Sequence, residues 1–349
     1  MHALSADRVA ALEAYLAQRL PGFEGPLSVE PFTGGQSNPT YHLRTPRASW
    51  VMRCKPAPAA RLMPSAHAIE REFRVMSALA GTAVPVPAMA LLCEDETIIG
   101  RAFYVMQFLD GRVLWEPDLP GFCRSDRERL YDDMNRVIAA LHAVDVQAAG
   151  LADYGRPGNY FERQIARWRK QYQACATEPI AAMDRLAAWL PDHLPASARD
   201  DRHVAIVHGD YRIDNLMFHP TEPRAVALLD WELSTLGHPL ADFSYHCMAW
   251  HIAPALYRGL AGADLETLGI PCEEAYLRRY CERSGRTDAD AIWDDWNFYV
   301  AYNLFRMTGI VQGIAKRIED GTAVHPDARR AACTARPLAE MGWRFAQLA

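Results

Sequence analysis

The sequence has no closely paired cysteines and no long apolar run. Its eight cysteines are scattered along 349 residues without a C-x-x-C pair, so neither a structural zinc site nor a disulfide framework is expected. No apolar stretch approaches the roughly 18 residues that indicate a membrane-spanning helix. The N-terminal stretch carries Asp7, Arg8 and Glu13 in an amphipathic pattern that does not fit a secretion signal. We therefore expect a cytoplasmic protein that does not enter a membrane.

Lysine is also scarce, and nearly all of the 37 strongly basic residues are arginines. The formal net charge is −6 at pH 7, and the only lysines are Lys55, Lys170 and Lys316. A negative balance disfavours a polyanionic partner, so we expect no nucleic acid partner. Half of the residues are hydrophobic and 23% are charged, which is typical of an ordered globular protein.

The most informative stretch is His208 to Asn215, which reads His-Gly-Asp-Tyr-Arg-Ile-Asp-Asn. The apolar run 204–207 before it predicts a buried strand. Residues 216–218 and 225–229 predict two more short strands, joined by a turn that contains two prolines. Three polar side chains, those of Asp210, Asn215 and Asp230, are therefore expected at the ends of adjacent strands.

These three residues have the order and spacing of a phosphoryl-transfer centre. Protein kinases place a carboxylate five residues before a metal-binding Asn, and a second metal-binding Asp on a later strand. The spacing predicts Asp210 as base for the acceptor hydroxyl, with Asn215 and Asp230 as oxygen ligands for Mg²⁺. Two other interpretations are a strand-end turn with capping side chains and a hydrolytic metal site that includes His208. Arg212, two residues after the base, is expected to touch the transferred phosphoryl group.

The segments 208–215 and 230–232 resemble the aminoglycoside phosphotransferase family of kinase-like enzymes. Three further stretches are similar to a branch whose members also occur as N-terminal kinase-like modules of some acyl-CoA dehydrogenases: 34–41, 64–73 and 229–237. The resemblance covers about Phe32 to Arg317. It implies an α+β, two-lobed protein-kinase-like fold, in which a small lobe with an antiparallel sheet and a helix precedes a larger, mostly helical lobe.

A glycine-containing hairpin is the first candidate for a nucleotide contact. It joins strands predicted at 27–33 and 40–44 and consists of Gly34, Gly35, Gln36, Ser37 and Asn38, followed by a proline. Glycines and small polar residues allow backbone N–H groups to approach phosphate oxygens. An ordinary turn is the alternative, because such residues are common in loops.

The following strand, predicted at 50–54, supplies the basic residue of the nucleotide site. Kinases have a small apolar residue two positions before a phosphate-pairing Lys, a pattern that aligns Arg53 with the Lys. Lys55 is the competitor, because it lies on the same face of the strand. On a helix predicted at 66–80, with Ser65 as N-cap, Glu72 aligns with the glutamate that pairs with this base, and Glu70 is the alternative.

The resemblance also implies where the lobes join. The segment 104–109 resembles the kinase linker, so the backbone at Gln107 and Leu109 is expected to bond the adenine edge. We place the nucleotide-binding lobe at residues 1–109 and the catalytic and substrate-binding lobe at residues 110–349.

Helical patterns dominate the second lobe, at 127–144 and 292–317 among others. Asp242 matches a family aspartate that braces the catalytic loop. Arg306 lies among aromatic residues of the last of these helices. Because a buried Arg needs an anion or a carboxylate, we expect it either to pack in the core or to meet an anionic part of the acceptor.

The sequence thus predicts an enzyme that uses ATP and Mg²⁺ to phosphorylate a hydroxyl of a small molecule. From the resemblance, the acceptor is expected to be a hydroxyacyl thioester or hydroxy acid rather than an aminoglycoside. The alternative is a catalytically inactive nucleotide-binding module, because an Arg replaces the usual phosphate-binding Lys.

Overall fold

The first part of the chain forms one antiparallel sheet. The computed structural model describes residues 4–32, 38–56, 68–322 and 328–349. The helix α1 (Ala6–Arg19) precedes the sheet, whose strands are β1 (Ser28–Pro31), β2 (Thr40–Arg44), β3 (Ser49–Cys54), β4 (Met89–Cys93) and β5 (Phe103–Gln107). The strand order is β1-β2-β3-β5-β4, and every pairing is antiparallel. Each strand predicted from the apolar pattern in this region is present, with bounds that differ by a few residues.

Side chains alternate between the two faces of this sheet, and each face packs against its own core. Phe103 and Val105 of β5 share a core with Leu12 and Leu16 of α1. Tyr104, between them, faces the opposite core and lies near α2 (Ile69–Leu79). The helix predicted from residue 66 thus begins at Ile69, and its predicted N-cap, Ser65, lies outside the described residues.

The rest of the described chain is mostly helical. Its helices are α3 (Arg124–His142), α4 (Tyr160–Cys175), α5 (Ala181–Asp192), α6 (Pro239–Cys247), α7 (Leu265–Leu268), α8 (Glu273–Ser284), α9 (Ala289–Asp294), α10 (Trp296–Glu319), α11 (Ala328–Ala332) and α12 (Ala335–Ala346). Aromatic rings pack at the centre, where Phe161 of α4 contacts Phe298, Tyr299 and Tyr302 of α10. No helix in the described ranges is both long and apolar enough to cross a membrane.

Short strands within this helical part carry the predicted catalytic residues. They are β6 (Arg112–Val113), β7 (Ala205–Val207), β8 (Leu216–Phe218), β9 (Ala225–Leu228) and β10 (Thr235–Gly237). β8 lies between β6 and β9, while β7 pairs with β10. Residues 235–237, for which the sequence predicts no strand, form β10 because their backbone pairs with that of 205–207.

Several charged contacts join the sheet and its helix to the helical part, and two of them are the most informative. Arg71 of α2 donates to the Tyr154 carbonyl oxygen at 2.7 Å, and its guanidinium stacks 4.2 Å from the centre of that tyrosine ring. Arg53 of β3 pairs with Asp230, which follows β9, at 2.7 Å. The second contact brings residues from both parts of the molecule to one site.

Candidate active site

The segment after β7 makes a tight turn that only glycine fits. Gly209 has a φ of +82°, and a Cβ at this position would lie 2.7 Å from the Leu233 carbonyl oxygen. The backbone N–H groups of His208 and Gly209 donate to the two carboxylate oxygens of Asp242, at 2.6 and 2.9 Å. The ring of His142 lies 3.3 Å from the same carboxylate. Asp242, at the start of α6, therefore braces the turn that leads to Asp210.

Asp210 is held by three polar neighbours. The Tyr245 hydroxyl donates to Oδ1 at 2.7 Å, and the Asn215 amide donates to Oδ2 at 3.0 Å. Arg212 Nε lies 3.7 Å from Oδ1. Burial alone would raise the pKa of the Asp210 carboxyl, but Arg212 and the Tyr245 hydroxyl hold it below its usual value. The carboxylate is thus kept ionised, as a proton acceptor must be.

Asn215 directly precedes β8, and Asp230 follows β9. Because the two strands are antiparallel neighbours, both residues lie at the same edge of this small sheet. The Leu229 N–H donates to the Asn215 carbonyl oxygen at 2.8 Å, and this bond continues the pairing of β8 with β9. The Asn215 amide nitrogen donates to Asp210, so its side-chain oxygen faces away from that carboxylate. Asp230 has a φ of +65°, a strained backbone for a non-glycine residue and one that is concentrated at functional sites.

An amide oxygen and a carboxylate are the donor set expected for Mg²⁺ that also binds substrate phosphates. Within the described ranges, no cluster of three or more His, Cys, Asp or Glu side chains could hold a metal by itself. His208 is no ligand: its Nδ1 accepts from the Asp210 N–H at 3.3 Å, and its Nε2 lies 2.8 Å from the Leu229 carbonyl oxygen. The residues present fit Mg²⁺ and do not fit the hydrolytic metal site considered from the sequence.

Arg53 joins three carboxylates across the two parts of the molecule. Its Nε lies 3.1 Å from Glu72, and its Nη2 lies 2.7 Å from Asp230 and 3.8 Å from Glu232. Burial opposes the guanidinium charge, but Glu72 and other neighbours raise the pKa of Arg53 above its ordinary value. Lys55 instead forms an ion pair with Glu70, and its side chain is 36% exposed. The structure thus brings Arg53, and not Lys55, next to Glu72 and Asp230.

Glu72 is almost fully buried, and its carboxylate is fixed by neutral donors as well. The Asn38 amide donates to Oε1 at 2.8 Å, and the Tyr104 hydroxyl donates to Oε2 at 3.1 Å. Asn38 is thereby turned towards α2. The other residues of the predicted phosphate hairpin, Gly34, Gly35, Gln36 and Ser37, lie outside the described residues.

The linker residues lie at the end of β5. The Gln107 N–H donates to the Ala88 carbonyl oxygen at 2.8 Å. The Leu109 N–H donates to no acceptor in the part of the chain that the structure describes. An adenine edge would therefore find a donor at Leu109, whereas the N–H of Gln107 is already used.

Arg306 of α10 lies behind the catalytic turn. Its guanidinium donates to the Gly209 carbonyl oxygen and stacks 4.5 Å from the centre of the Tyr245 ring. Only 8% of the residue is exposed. It therefore supports the backbone next to Asp210, and an acceptor contact for it stays a prediction.

Several residues beside Asp210 were missed from the sequence. Tyr245 lies 35 residues beyond Asp210 and bonds it directly. A cavity of about 60 Å³ is lined by Tyr245 and by the predicted Arg212, and its walls also include Asp214, Tyr257, Arg258 and Trp115, which were not predicted. No spacing rule connects these residues, because they come from four separate segments that only the fold brings together.

Comparison with known proteins identifies relatives along nearly the whole chain. A family model described as "Phosphotransferase enzyme family" matches residues 28–289. Acyl-CoA dehydrogenase family member 10 of Mus musculus is 45% identical over 339 residues, which cover 96% of this chain but only 31% of that relative. The chain thus spans less than a third of that protein's length.

Solved structures share the fold. A Ralstonia eutropha protein, provisionally assigned as an aminoglycoside phosphotransferase, is 59% identical, with a TM-score of 0.89 over 97% of this chain and 98% of its own. The GDP complex of aminoglycoside 2'-phosphotransferase-IIIa has a TM-score of 0.62 at 16% identity, covering 96% of this chain and 98% of its own. The predicted kinase-like fold class is confirmed.

Proposed function

The chain belongs to the phosphotransferase enzyme family, and from that membership we propose that it transfers the γ-phosphoryl group of ATP to a hydroxyl of a small molecule. The observation that carries the proposal is the Asp210 carboxylate. It is kept ionised and is fixed by Tyr245 and by Asn215, whose carbonyl oxygen accepts from the N–H of Leu229, the residue before Asp230. Residues 1–109 would form the nucleotide-binding lobe and residues 110–349 the catalytic lobe.

In this proposal Asp210 accepts or orients the proton of the acceptor hydroxyl. Phosphoryl transfer needs little covalent chemistry from the protein, so positioning and charge stabilisation supply most of the rate. Asn215 and Tyr245 orient the carboxylate through their hydrogen bonds. Arg212, whose Nε faces Asp210 at 3.7 Å, would touch the phosphoryl group as it passes to the acceptor oxygen.

The nucleotide would bind between the sheet and the catalytic strands. Arg53 is charged, and Glu72 holds it from the sheet side, so its guanidinium can bind phosphate oxygens with a fork of donors. Lys55, the weaker candidate, is paired with Glu70. The hairpin Gly34 to Asn38 would cover the phosphates. The adenine edge would bond the N–H of Leu109 and, because the N–H of Gln107 already donates to Ala88, the carbonyl oxygen of Gln107. Structural neighbours bound to nucleotide support this part of the proposal.

Asn215 and Asp230 would hold Mg²⁺ through their side-chain oxygens. The metal would neutralise negative charge that develops on the phosphate oxygens. In the structure Asp230 is paired with Arg53 instead. This pairing holds the Asp230 carboxylate next to Arg53, the residue proposed to bind the phosphates.

For the acceptor we propose a hydroxyacyl thioester or a hydroxy acid. The support is the 45% identity to a protein named as an acyl-CoA dehydrogenase family member, since an acyl thioester is the chemistry that such a name implies. An aminoglycoside is polycationic and would need a strongly acidic cleft. The cavity beside Asp210 has two arginines and one aspartate among its walls, which disfavours such a cation.

The proposal is tested by ATP consumption across a panel of hydroxy acids, hydroxyacyl thioesters, amino alcohols and aminoglycosides. We expect acceptor-dependent ADP release by the wild type. Asp210→Asn keeps the shape of the side chain but removes its charge, so it should lower kcat by about 10²-fold or more while ATP still binds. Equal turnover by the variant would exclude Asp210 from the reaction. Nucleotide binding without turnover of any acceptor would instead favour an inactive module.

A further inference from the structure

Two arginines share one carboxylate beside the proposed base. Arg212 Nη2 and Arg258 Nη1 both lie 2.6 Å from Oδ2 of Asp214, whose side chain is 6% exposed. Asp210 also faces Arg212, 3.7 Å from its Nε, so the two arginines and two carboxylates balance in formal charge. Among the described residues, however, the only carboxylate that pairs with Arg258 is the Asp214 that it shares with Arg212. The Arg258 guanidinium can therefore still attract an anion, in a place that is partly shielded from water.

Arg258 faces a cavity whose walls also include Tyr245 and Arg212, the two side chains that approach Asp210. The two arginines and the carboxylate that they share are part of its walls, and the remaining wall residues are aromatic, apolar or neutral. His246 is one of the neutral groups, because burial lowers its pKa to about 4. An acceptor hydroxyl at Asp210 would thus place the remainder of the molecule near the positive charge.

The two arginines differ in how many donors remain free. Arg212 is engaged by the Tyr257 hydroxyl at 2.6 Å and by Asp214, and its Nε faces Asp210. Among the described residues, Arg258 donates only through Nη1, to Asp214. Its side chain is 34% exposed. Arg258 therefore has N–H groups that an incoming ligand can reach.

Trp115 holds this guanidinium at the mouth of the cavity. The Arg258 guanidinium lies 4.6 Å from the centre of the Trp115 ring, and Trp115 is 54% exposed, unusual for so large an apolar side chain. A guanidinium stacked on an indole keeps its in-plane N–H groups available for a planar anion. The stacked pair therefore presents an aromatic face and unused N–H donors on the accessible wall of the cavity.

We propose that Arg258, positioned by Trp115, binds an anionic group of the acceptor and selects anionic acceptors over neutral and cationic ones. The inference rests on the proposed phosphotransferase function and assigns the specificity residue of that same site. From the sequence, Arg306 was one candidate for an anion contact. In the structure Arg306 donates to the Gly209 carbonyl oxygen and is less exposed than Arg258. The anion would be the carboxylate of a free hydroxy acid or a phosphate of a carrier attached to a hydroxyacyl group.

A matched set of probes tests the charge preference by calorimetry and by phosphorylation kinetics. The probes are 5-hydroxypentanoate, pentane-1,5-diol and 5-aminopentan-1-ol, which share a chain length and a hydroxyl but differ in charge. 5-Hydroxypentanoyl-CoA and the corresponding pantetheine thioester, which lacks phosphate, separate the two sources of the anion. A preference for the free acid indicates a carboxylate, and a preference for the CoA ester over the pantetheine ester indicates a phosphate.

We expect Arg258→Gln to weaken binding of the preferred anionic probe by about tenfold or more, because a charge-assisted hydrogen bond is lost. Its KM should rise more than its kcat falls, and the diol should bind as it does to the wild type. Arg258→Lys should restore part of the affinity. Arg129→Gln, which removes a charge from an exposed ion pair on α3, is the matched control and should change neither constant.

The proposal is overturned if no anionic probe binds the wild type better than the diol, or if Arg258→Gln weakens the diol as much as the anion. A Tm within a few degrees of the wild type shows that the variant is folded. Anion-selective binding without any phosphoryl transfer from ATP would support the Arg258 site and refute the proposed function. Transfer that is indifferent to acceptor charge would support the function and refute the Arg258 site.

Discussion

At the scale of single residues, the charge of Asp210 depends on a tyrosine. Burial would protonate the carboxyl at a higher pH than usual, and a protonated Asp210 could not accept the hydroxyl proton. Arg212 and the Tyr245 hydroxyl reverse this effect and lower the pKa. Tyr245 itself stays protonated, because burial raises its pKa, so it remains a donor to Asp210 over the whole working range.

Tyr245→Phe should therefore shift the pH dependence of catalysis. The variant keeps the ring that stacks against Arg306 but removes the O–H that favours the ionised form of Asp210. The pKa of Asp210 should rise, so the acid limb of the kcat/KM profile should move to higher pH, with less change on the alkaline side. Tyr172→Phe, which alters a buried hydroxyl elsewhere, is the control. An unchanged acid limb in Tyr245→Phe would contradict the assignment.

The residue-level prediction from sequence was strongest where spacing is fixed by secondary structure. Alignment with the kinase pattern, placed on a predicted strand and a predicted helix, proposed Arg53 and Glu72, whose side chains lie 3.1 Å apart in the structure. Lys55 could not be separated from Arg53 by pattern alone, since both lie on one face of the strand. Tyr245 and Arg258 were missed because their relation to Asp210 exists only after the helices have packed.

At the scale of elements, α6 is tied to the catalytic turn by one carboxylate. Asp242 accepts from two consecutive backbone N–H groups and contacts His142. Burial would raise the pKa of Asp242, but the His142 contact and the backbone donors hold it below its usual value. Its ionised form is therefore favoured by folding.

Asp242→Asn should destabilise the protein by about 2–4 kcal/mol, because charge-assisted bonds to a buried carboxylate are lost and the new amide N–H₂ faces other donors. Urea unfolding at neutral pH measures the difference. Since the folded-state pKa of Asp242 is lowered, its contribution is complete above the unfolded pKa of about 4 and is lost as pH falls through the folded value. The gap between wild type and variant should thus narrow in acid, and a gap that widens there would contradict this account.

The elements that could be predicted are those with a local signal. β1, β2 and β3 are bounded by turn residues, and the strands around the catalytic residues are short apolar runs, so their positions followed from the sequence. β10 could not be predicted, because Thr235 to Gly237 is a short run whose strand character comes from pairing with β7. The aromatic segment near the C-terminus forms two helices, α9 and α10, and its apolar spacing did not reveal the break between them.

At the scale of the whole molecule, the two parts are joined where the substrates are proposed to bind. Arg53 connects the five-stranded sheet to the strand end that carries Asp230, and Arg71 connects α2 to Tyr154. The sequence predicted two lobes but not these contacts, because a long-range ion pair has no periodicity. A nucleotide bound at this junction would exchange Asp230 for phosphate as the partner of Arg53.

This exchange predicts that Mg²⁺ and ATP stabilise the folded protein together. A ligand that binds only the native state contributes about 2.7 kcal/mol at a hundred times its Kd, so ATP with Mg²⁺ should raise the Tm by several degrees. Removal of Mg²⁺ by a chelator should reduce the shift, because Asp230 then loses the cation that replaces Arg53. In Arg53→Gln the rise in Tm on adding ATP and Mg²⁺ should nearly disappear, and in Arg53→Lys part of that rise should remain.

Each variant is judged by the rise in its Tm on adding ATP and Mg²⁺, not by the Tm of the free protein. Arg53→Gln also leaves the buried Glu72 without its cation, which lowers the stability of the free protein. Arg44→Gln removes an exposed arginine from the same sheet and should respond to Mg²⁺ and ATP as the wild type does. A full ligand-induced shift in Arg53→Gln, or the same shift with and without Mg²⁺, would show that the nucleotide binds elsewhere. A shift that depends on both Arg53 and the metal would locate it between the sheet and Asp230.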